Sequence, residues 1–349
     1  MRPSAYRNVT IIGDGGMGTV LSILLCEKAI HTRLWGYDAQ QLAEIEGGRE
    51  NRRFLFGYKL PESLIFESQD NLAMAEADLI VSAVPCQFMR AVWNRLAGHV
   101  PPDVPIVSVA KGIENETLLR PTQIIADALG QGVPRAALSG PTIADELARK
   151  LPATACAAAE DEVLAQRIQY TFTCPWLRVY TNTDLLGVEL AGAMKNVIAI
   201  AGGIIDGVGA GDNAKAALLA RGLAEITRLG LAMGAREHTF VGLTGLGDLV
   251  TTCISPTGRN RSFGERIGRG QSLEEAQGST ESVVEGIATC KSVMALAGRC
   301  KVEMPIAQAV YEVLFESKPV QVAIEELMSR RLKAEWGSSA AQVTEEKAR

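Results

Sequence analysis

Short apolar runs recur along the first half of the chain, with helix-spaced segments between them. They are Val9-Thr10-Ile11-Ile12, residues 32–35, 79–84 and 106–110, and more weakly 136–139, 154–158 and 177–180. Runs of this length bounded by Gly or Pro read as buried strands. Residues 19–25 and the amphipathic stretch 88–96 read as helices between strands. Alternation of strands with helices predicts an α/β fold with a mostly parallel, doubly wound sheet. The pattern changes near Thr183, where β-branched runs give way to long helix-compatible segments rich in Ala, Leu and Gly. Asn182-Thr183-Asp184 is a good N-cap cluster for the first of these helices. Asp212-Asn213 is expected to cap a second, whose stripe is Leu218, Leu219, Leu223, Ile226 and Leu229. The predicted division is residues 1–183 for the sheet domain, 184–335 for an all-helical domain, and 336–349 for a polar tail.

Composition narrows the class. With 349 residues, 47% of them hydrophobic and 21% charged, the chain is an ordinary globular protein with room for two domains. A formal net charge of −5 argues against nucleic acid as the main partner. Residues 1–8 contain no apolar signal region. The most apolar long stretch, 185–210, includes Glu189, Lys195 and Asp206 and reads as a buried helix, not a membrane span. Seven cysteines without a C-x-x-C pair and only three histidines predict reduced thiols in a cytoplasmic protein, with no metal site.

Chemistry first appears at the end of the first strand. Gly13, Gly15 and Gly18 fit G-x-G-x-x-G, with Gly16 and Met17 inside the motif, and a helix follows. Such glycines allow a tight turn, close approach to a pyrophosphate and close helix–strand packing, and the helix N-terminus offers free N–H groups to phosphate. An acid is expected at the end of the second strand for an NAD ribose. Gly36 and Tyr37 stand there instead, Asp38 comes late, and Arg49, Arg52 and Arg53 follow. The absent acid and the nearby arginines tilt the expectation from NAD toward NADP.

Ligands of doubly wound sheets bind at the carboxyl ends of strands, which gathers the glycine loop, Val84-Pro85 and Lys111-Gly112 at one edge. Lys111 there is either a phosphate or substrate contact or a surface lysine. Gly140 and Thr142, after another strand, either lie beside a nicotinamide or simply start a helix. Lys195 is flanked by apolar and small residues on nearly every side, a costly position for a charge without partners. Burial would lower its pKa and suit it to proton transfer near neutral pH; the alternative is a lysine snorkelling from a buried helix. Asp248 follows two glycines and precedes Thr251-Thr252, either as a helix start whose polar groups face a cavity or simply as an N-cap. In Thr257-Gly258-Arg259-Asn260-Arg261, either Arg259 offers a planar fork for an oxyanion with Asn260 as a neighbouring donor, or the loop is a surface arginine cluster.

Taken in order, these blocks resemble the bacterial NAD(P)-dependent glycerol-3-phosphate dehydrogenases over essentially the whole chain. The resemblance is carried by residues 9–18, Leu34-Trp35, Ala110-Lys111-Gly112, 138–142, Gly187-Val188-Glu189-Leu190 through Lys195-Asn196-Val197-Ile198-Ala199, 245–249, Arg259-Asn260 and Val283-Val284-Glu285-Gly286. It implies a Rossmann-type domain followed by a helical one, with the active site between them. It implies reversible hydride transfer between dihydroxyacetone phosphate and sn-glycerol 3-phosphate, running toward glycerol phosphate for phospholipid synthesis, in a homodimer. By the resemblance Lys195 is the acid/base and Asp248 and Thr252 line its pocket. Lys111, Gly140, Thr142 and Asn196 would meet substrate, with Gly258, Arg259 and Asn260 at its phosphate. Gly13, Gly15, Gly16, Met17, Gly18, Lys111, Ala144, Arg259, Val283 and Glu285 would contact cofactor.

Two positions depart from the family pattern. Gly16-Met17 stands where Ser and an aromatic are usual, and Gly258 where Ser is usual, which leaves only the backbone N–H of Gly258 for a phosphate. A related β-hydroxyacid dehydrogenase acting on a carboxylate, or a catalytically silent NAD(P)-binding protein, would share parts of the pattern. The Arg259-Asn260 loop and the 245–249 block favour the glycerol phosphate reading over the first. The pairing of Lys195 with Asp248 favours it over the second.

Overall fold

The computed structural model describes residues 4–280, 282–332 and 334–335. Its N-terminal half is built on strands β1 (Asn8–Ile12), β2 (His31–Trp35), β3 (Ile65–Glu67), β4 (Leu79–Ser82), β5 (Ile106–Ser108), β6 (Arg135–Ser139), β7 (Ala153–Ala158) and β8 (Leu177–Asn182). They form one sheet in the order β3-β2-β1-β4-β5-β6-β7-β8, parallel throughout except for the antiparallel β6–β7 pair. The strand order reverses beside β1, and β4 continues on its other edge. That reversal opens the crevice at the carboxyl ends of the strands where such sheets take their ligands.

Helices α1 (Gly16–Glu27), α2 (Ala39–Gly48), α3 (Asp70–Met74), α4 (Cys86–Leu96), α5 (Pro121–Leu129), α6 (Ala144–Ala148) and α7 (Glu162–Phe172) connect the strands. Neighbouring strand residues point to opposite faces. Ile11, Leu34, Val81 and Val107 join one core, while Ile12, Trp35, Ile80 and Ile106 join the other with Trp93 of α4. The continuous apolar runs in the sequence are therefore strands covered on both sides.

The second half is helical: α8 (Leu185–Val208), α9 (Asp212–Ala232), α10 (Glu237–Phe240), α11 (Asp248–Ile254), α12 (Arg259–Gly268), α13 (Leu273–Gly278), α14 (Glu285–Cys300), α15 (Pro305–Phe315) and α16 (Val320–Met328). Asp184 caps α8 as expected, its Oδ1 accepting from Gly187 N at 2.9 Å. Asp212 does not cap α9. Gly211, at φ +86, holds the cap position and Asp212 sits inside the first turn, where its charge favours the helix dipole. The predicted tail, residues 336–349, lies outside the described residues.

Helix α8 is long and apolar enough to cross a membrane, yet it is buried among its neighbours as the core of the helical half. Its contact with α12 is set by glycines. A Cβ on Gly203 would lie 2.0 Å from Arg261 O, and one on Gly264 would lie 2.0 Å from Ile200 O. Gly207 and Gly268 repeat the arrangement one turn on, with 2.3 Å to Glu265 O and 2.4 Å to Ile204 O. At these four glycines the two helices, which carry Lys195 and Arg259, meet backbone to backbone.

Candidate active site

Lys195 projects from the middle of α8 and is 6% exposed. Its Nζ lies 2.9 Å from Asp248 Oδ1 and donates to Thr252 Oγ1. Lys111, after β5, donates to the other oxygen, Asp248 Oδ2, at 2.7 Å and to Gly140 O at 2.8 Å. Thr142 Oγ1 donates to the same Gly140 carbonyl at 3.1 Å. Two lysines, a carboxylate and two threonines drawn from both halves of the chain therefore meet at one point.

Asp248 reaches this point through an unusual turn. Residues Leu243–Gly247 form a π-turn directly before α11. Gly245 makes it possible, since a Cβ there would lie 1.9 Å from Phe240 O. Asp248 is thus a first-turn residue serving two cations, and Gly247 occupies the cap position.

The electrostatics follow from burial and from this pairing. Burial pushes the Lys195 ammonium down to about 8, with Asp248 opposing the shift and Lys111 adding to it. Burial alone would raise Asp248, but the charges of Lys111 and Lys195 outweigh it and hold the carboxylate below its ordinary value. A buried lysine whose ammonium and amine are both accessible near neutral pH is suited to hand over and take back a proton.

Asn196 and Asn260 are brought together, but as ties. Asn196 Nδ2 donates to Lys111 O at 2.9 Å, Asn260 Nδ2 donates to Asn196 Oδ1 at 2.9 Å, and Gly286 N donates to Asn260 Oδ1 at 2.9 Å. The chain of amides fastens the loop after β5 to α8, α12 and α14. Each asparagine keeps one N–H beyond these bonds. The backbone N–H of Gly258, expected to face a phosphate, donates instead to Ser255 O at 3.1 Å. The turn that opens α12 consumes it, so of the pair expected at a phosphate in that loop the Arg259 guanidinium is the one that could still donate to an anion. Arg259 shows no hydrogen bond or ion pair among the described residues. Its side chain is exposed, yet desolvation by the protein around it lowers its pKa, opposed by the charge of Glu285.

The glycine loop fits a dinucleotide. Gly13, at φ +110, has no room for a Cβ, which would lie 2.8 Å from Ala83 O, and one on Gly18 would lie 1.9 Å from Gly13 O. Gly15 faces open space. The first turn of α1 carries neither an acidic residue nor a side-chain cap, so its N–H groups are available to an anion. Gly16 is explained by the loop after α2, because a Cβ would lie 2.7 Å from Phe54 O. Met17 packs against the sheet core with Ala144, and Ala144 Cβ comes within 3.7 Å of the Gly16 Cβ position.

At the other end of the crevice Glu285 Oε1 accepts from Cys86 N at 3.0 Å, while Oε2 is buried without a partner. It faces Gly112, whose added Cβ would come to 3.0 Å. An orphaned acceptor beside a glycine is what an amide-bearing ring would satisfy. Val283 stays at the surface, 36% exposed.

The expected arginine cluster disperses. Arg49 donates to Leu64 O at 3.1 Å and Glu62 O at 2.8 Å, Arg52 pairs with Glu50 at 3.4 Å, and Arg53 donates to Gln41 Oε1 at 3.0 Å. Sequence reasoning passed over two residues of weight. Glu189 accepts from Thr122 N at 2.8 Å, Thr122 Oγ1 at 2.7 Å and Arg120, locking α8 onto α5. Asp14 sits inside the glycine loop, where a charged residue was itself a signal.

Comparison with known proteins agrees with this geometry. The model of the NAD-dependent glycerol-3-phosphate dehydrogenase N-terminus matches residues 8–165, and that of its C-terminus matches residues 184–325. Glycerol-3-phosphate dehydrogenase [NAD(P)+] of Geobacter sp. (strain M21) is 46% identical over 94% of this chain and 98% of its own. The enzyme of that name from Chlorobium limicola is 44% identical, with 94% and 99% covered. The crystal structure of glycerol-3-phosphate dehydrogenase from Coxiella burnetii superposes with a TM-score of 0.89 at 35% identity, covering 93% of this chain and 99% of that one. A ketopantoate reductase from Ralstonia eutropha, at 13% identity and a TM-score of 0.58, shares the fold alone.

Proposed function

This chain belongs to the NAD(P)-dependent glycerol-3-phosphate dehydrogenase family and is an oxidoreductase acting on a CH–OH group, and we propose that Lys195 is the residue that moves its proton. The observation that carries the proposal is the buried Lys195 ammonium, held 2.9 Å from Asp248 and brought to about 8.

Reduction of dihydroxyacetone phosphate needs a hydride on carbon and a proton on oxygen. A bound nicotinamide supplies the hydride. The chain supplies the rest. The Lys195 ammonium polarises the carbonyl and gives its proton to the oxygen; in the reverse direction the neutral amine takes it from the C2 hydroxyl of sn-glycerol 3-phosphate. Asp248 fixes Lys195 in place and keeps the ammonium accessible despite burial, and Thr252 fixes its direction. Lys111 shares the carboxylate and stands over the loop that bears Gly140 and Thr142. Arg259, with the remaining N–H of Asn260, grips the substrate phosphate, and this remote charge places the reacting carbon. The cofactor pyrophosphate would lie over Gly15, Gly16 and the first turn of α1, and its carboxamide would meet Glu285.

We also assign a boundary between residues 183 and 184, a cytoplasmic homodimer, and a working direction toward glycerol phosphate for phospholipid synthesis. The decisive experiment follows absorbance at the nicotinamide band with NADH or NADPH and dihydroxyacetone phosphate. Substrate-dependent oxidation by the wild type, lost in Lys195→Ala, supports the assignment; oxidation at equal rates in both proteins overturns it.

A further inference from the structure

The carboxyl end of β2 is where a dinucleotide-binding βαβ unit meets the adenosine ribose. Gly36 follows β2 directly, and the nearest acid along that segment is Asp38. Asp38 is committed elsewhere, since its Oδ1 caps α2 by accepting from Gln40 N at 2.9 Å and Gln41 N at 3.3 Å. The space beside Gly36 is filled from another direction. A Cβ on Gly36 would lie 3.1 Å from both Cγ and Oδ2 of Asp14. Asp14 is the second residue of the glycine loop, so the β1–α1 turn delivers a carboxylate to the end of β2.

That carboxylate is held in place. Asp14 is 9% exposed. Gln41 Nε2 donates to its Oδ2 at 2.6 Å, and Gln41 Oε1 accepts from Arg53 Nη1 at 3.0 Å. One glutamine of α2 thus positions the acid and turns a guanidinium N–H toward itself. The Arg53 guanidinium also lies over the Phe54 ring, 5.0 Å from its centroid.

We propose that Asp14 reads the 2′ position of the adenosine ribose, accepting a hydrogen bond from the hydroxyl of NAD and rejecting the 2′-phosphate of NADP. This inference rests on the use of an NAD(P) cofactor and adds which of the two the site selects. An ionised carboxylate only accepts hydrogen bonds. A ribose hydroxyl donates to it, whereas phosphate oxygens bring no donor and add repulsion. Burial raises the Asp14 pKa and the Gln41 hydrogen bond opposes that shift, while Asp38 adds a second negative charge that Arg53 counters. The preference expected from the arginine cluster is thereby reversed: Arg49 and Arg52 are engaged elsewhere, and Arg53 reaches Asp14 through Gln41.

The test is binding without substrate. Full-length wild type, Asp14→Asn and Asp14→Ala are titrated with NADH and separately with NADPH, following nicotinamide fluorescence, with thermal melting of each protein alongside. The expected result is tighter NADH binding by the wild type and a shift of tenfold or more in the ratio of the two Kd values toward NADPH in both variants. Gln41→Ala, which leaves the glycine loop untouched, shifts the ratio in the same direction. A ratio within twofold of wild type in the folded Asp14 variants overturns the proposal. A wild type that binds both cofactors but leaves dihydroxyacetone phosphate unreduced counts against the assigned activity and leaves the Asp14 measurement readable.

Discussion

Lys111 and Lys195 share one carboxylate, each holding a different oxygen of Asp248, at 2.7 Å and 2.9 Å. Two cations around a buried anion leave the cluster with a net positive charge, which suits a phosphorylated substrate. The arrangement also separates their duties, because Lys111 is tied by a second bond to Gly140 O while Lys195, among the described residues, is held by Asp248 and Thr252.

The pH dependence follows from that cluster. The Lys195 pKa is lowered to about 8, so the ammonium needed to reduce the ketone is lost as pH rises through that value. The amine needed to oxidise the alcohol appears over the same interval. Profiles of kcat measured in the two directions should therefore cross near pH 8, falling for reduction and rising for oxidation. In Asp248→Asn the lysine loses its counter-charge and both profiles should move to lower pH. Steady-state rates between pH 6 and 10 check this, and unchanged midpoints in the variant would contradict it.

Arg259 is expected to act on binding. Hydrogen bonds to a charged group contribute about 1.5–3 kcal/mol, so Arg259→Ala should raise KM for dihydroxyacetone phosphate roughly tenfold or more. Turnover of unphosphorylated dihydroxyacetone, slow in both proteins, should be almost unchanged. A variant that loses activity equally on both substrates would show that the arginine serves something other than the phosphate.

The glycine contact between α8 and α12 predicts a stability effect remote from chemistry. Gly264→Ala places a methyl where Ile200 O lies 2.0 Å away. Main chain cannot give as a side chain can, so the cost should reach or exceed the ~1–3 kcal/mol usual for overpacking. Urea unfolding should show the loss, and substitution of Gly278, with nothing near its Cβ position, provides the comparison.

Glu225 should make stability depend on pH away from the site. Burial raises its pKa to about 7, although Ile306 N and Ala307 N donate to it at 2.7 Å and 3.2 Å. With the folded pKa above the unfolded value, the unfolded chain holds fewer protons between about pH 4.5 and 7. Stability from this group is complete below that window and is lost as pH rises through it. Glu225→Gln should flatten that portion of the curve of melting temperature against pH; an identical slope in both proteins would refute the assignment.

What the sequence disclosed depended on the range of the interaction. The strands around Ile11, Leu34 and Val81 were legible because residues covered on both faces are apolar without interruption. Lys195 was legible because a lone charge in such a run is expensive. β3 was not, since Ile65-Phe66-Glu67 is too short to show a period. Nor was the fate of the Gly258 N–H or of the two asparagine amides, because their partners are fixed by turns and helices that meet only after folding. Asp14 was hidden for a related reason. Its significance lies in touching Gly36, twenty-two positions on in the chain, across two parallel strands.

The backbone contact of α8 with α12 has one more consequence. Lys195 lies on one of these helices and Arg259 begins the other; at Gly203, Gly207, Gly264 and Gly268 main chain faces main chain, and nearer the site Asn260 Nδ2 donates to Asn196 Oδ1 across the same junction. On the roles proposed for Lys195 and Arg259, this junction fixes the distance between proton donor and phosphate grip. Sliding or spreading one of these helices against the other would require the main chains themselves to part, so the spacing of Lys195 and Arg259 is set by the fold's framework.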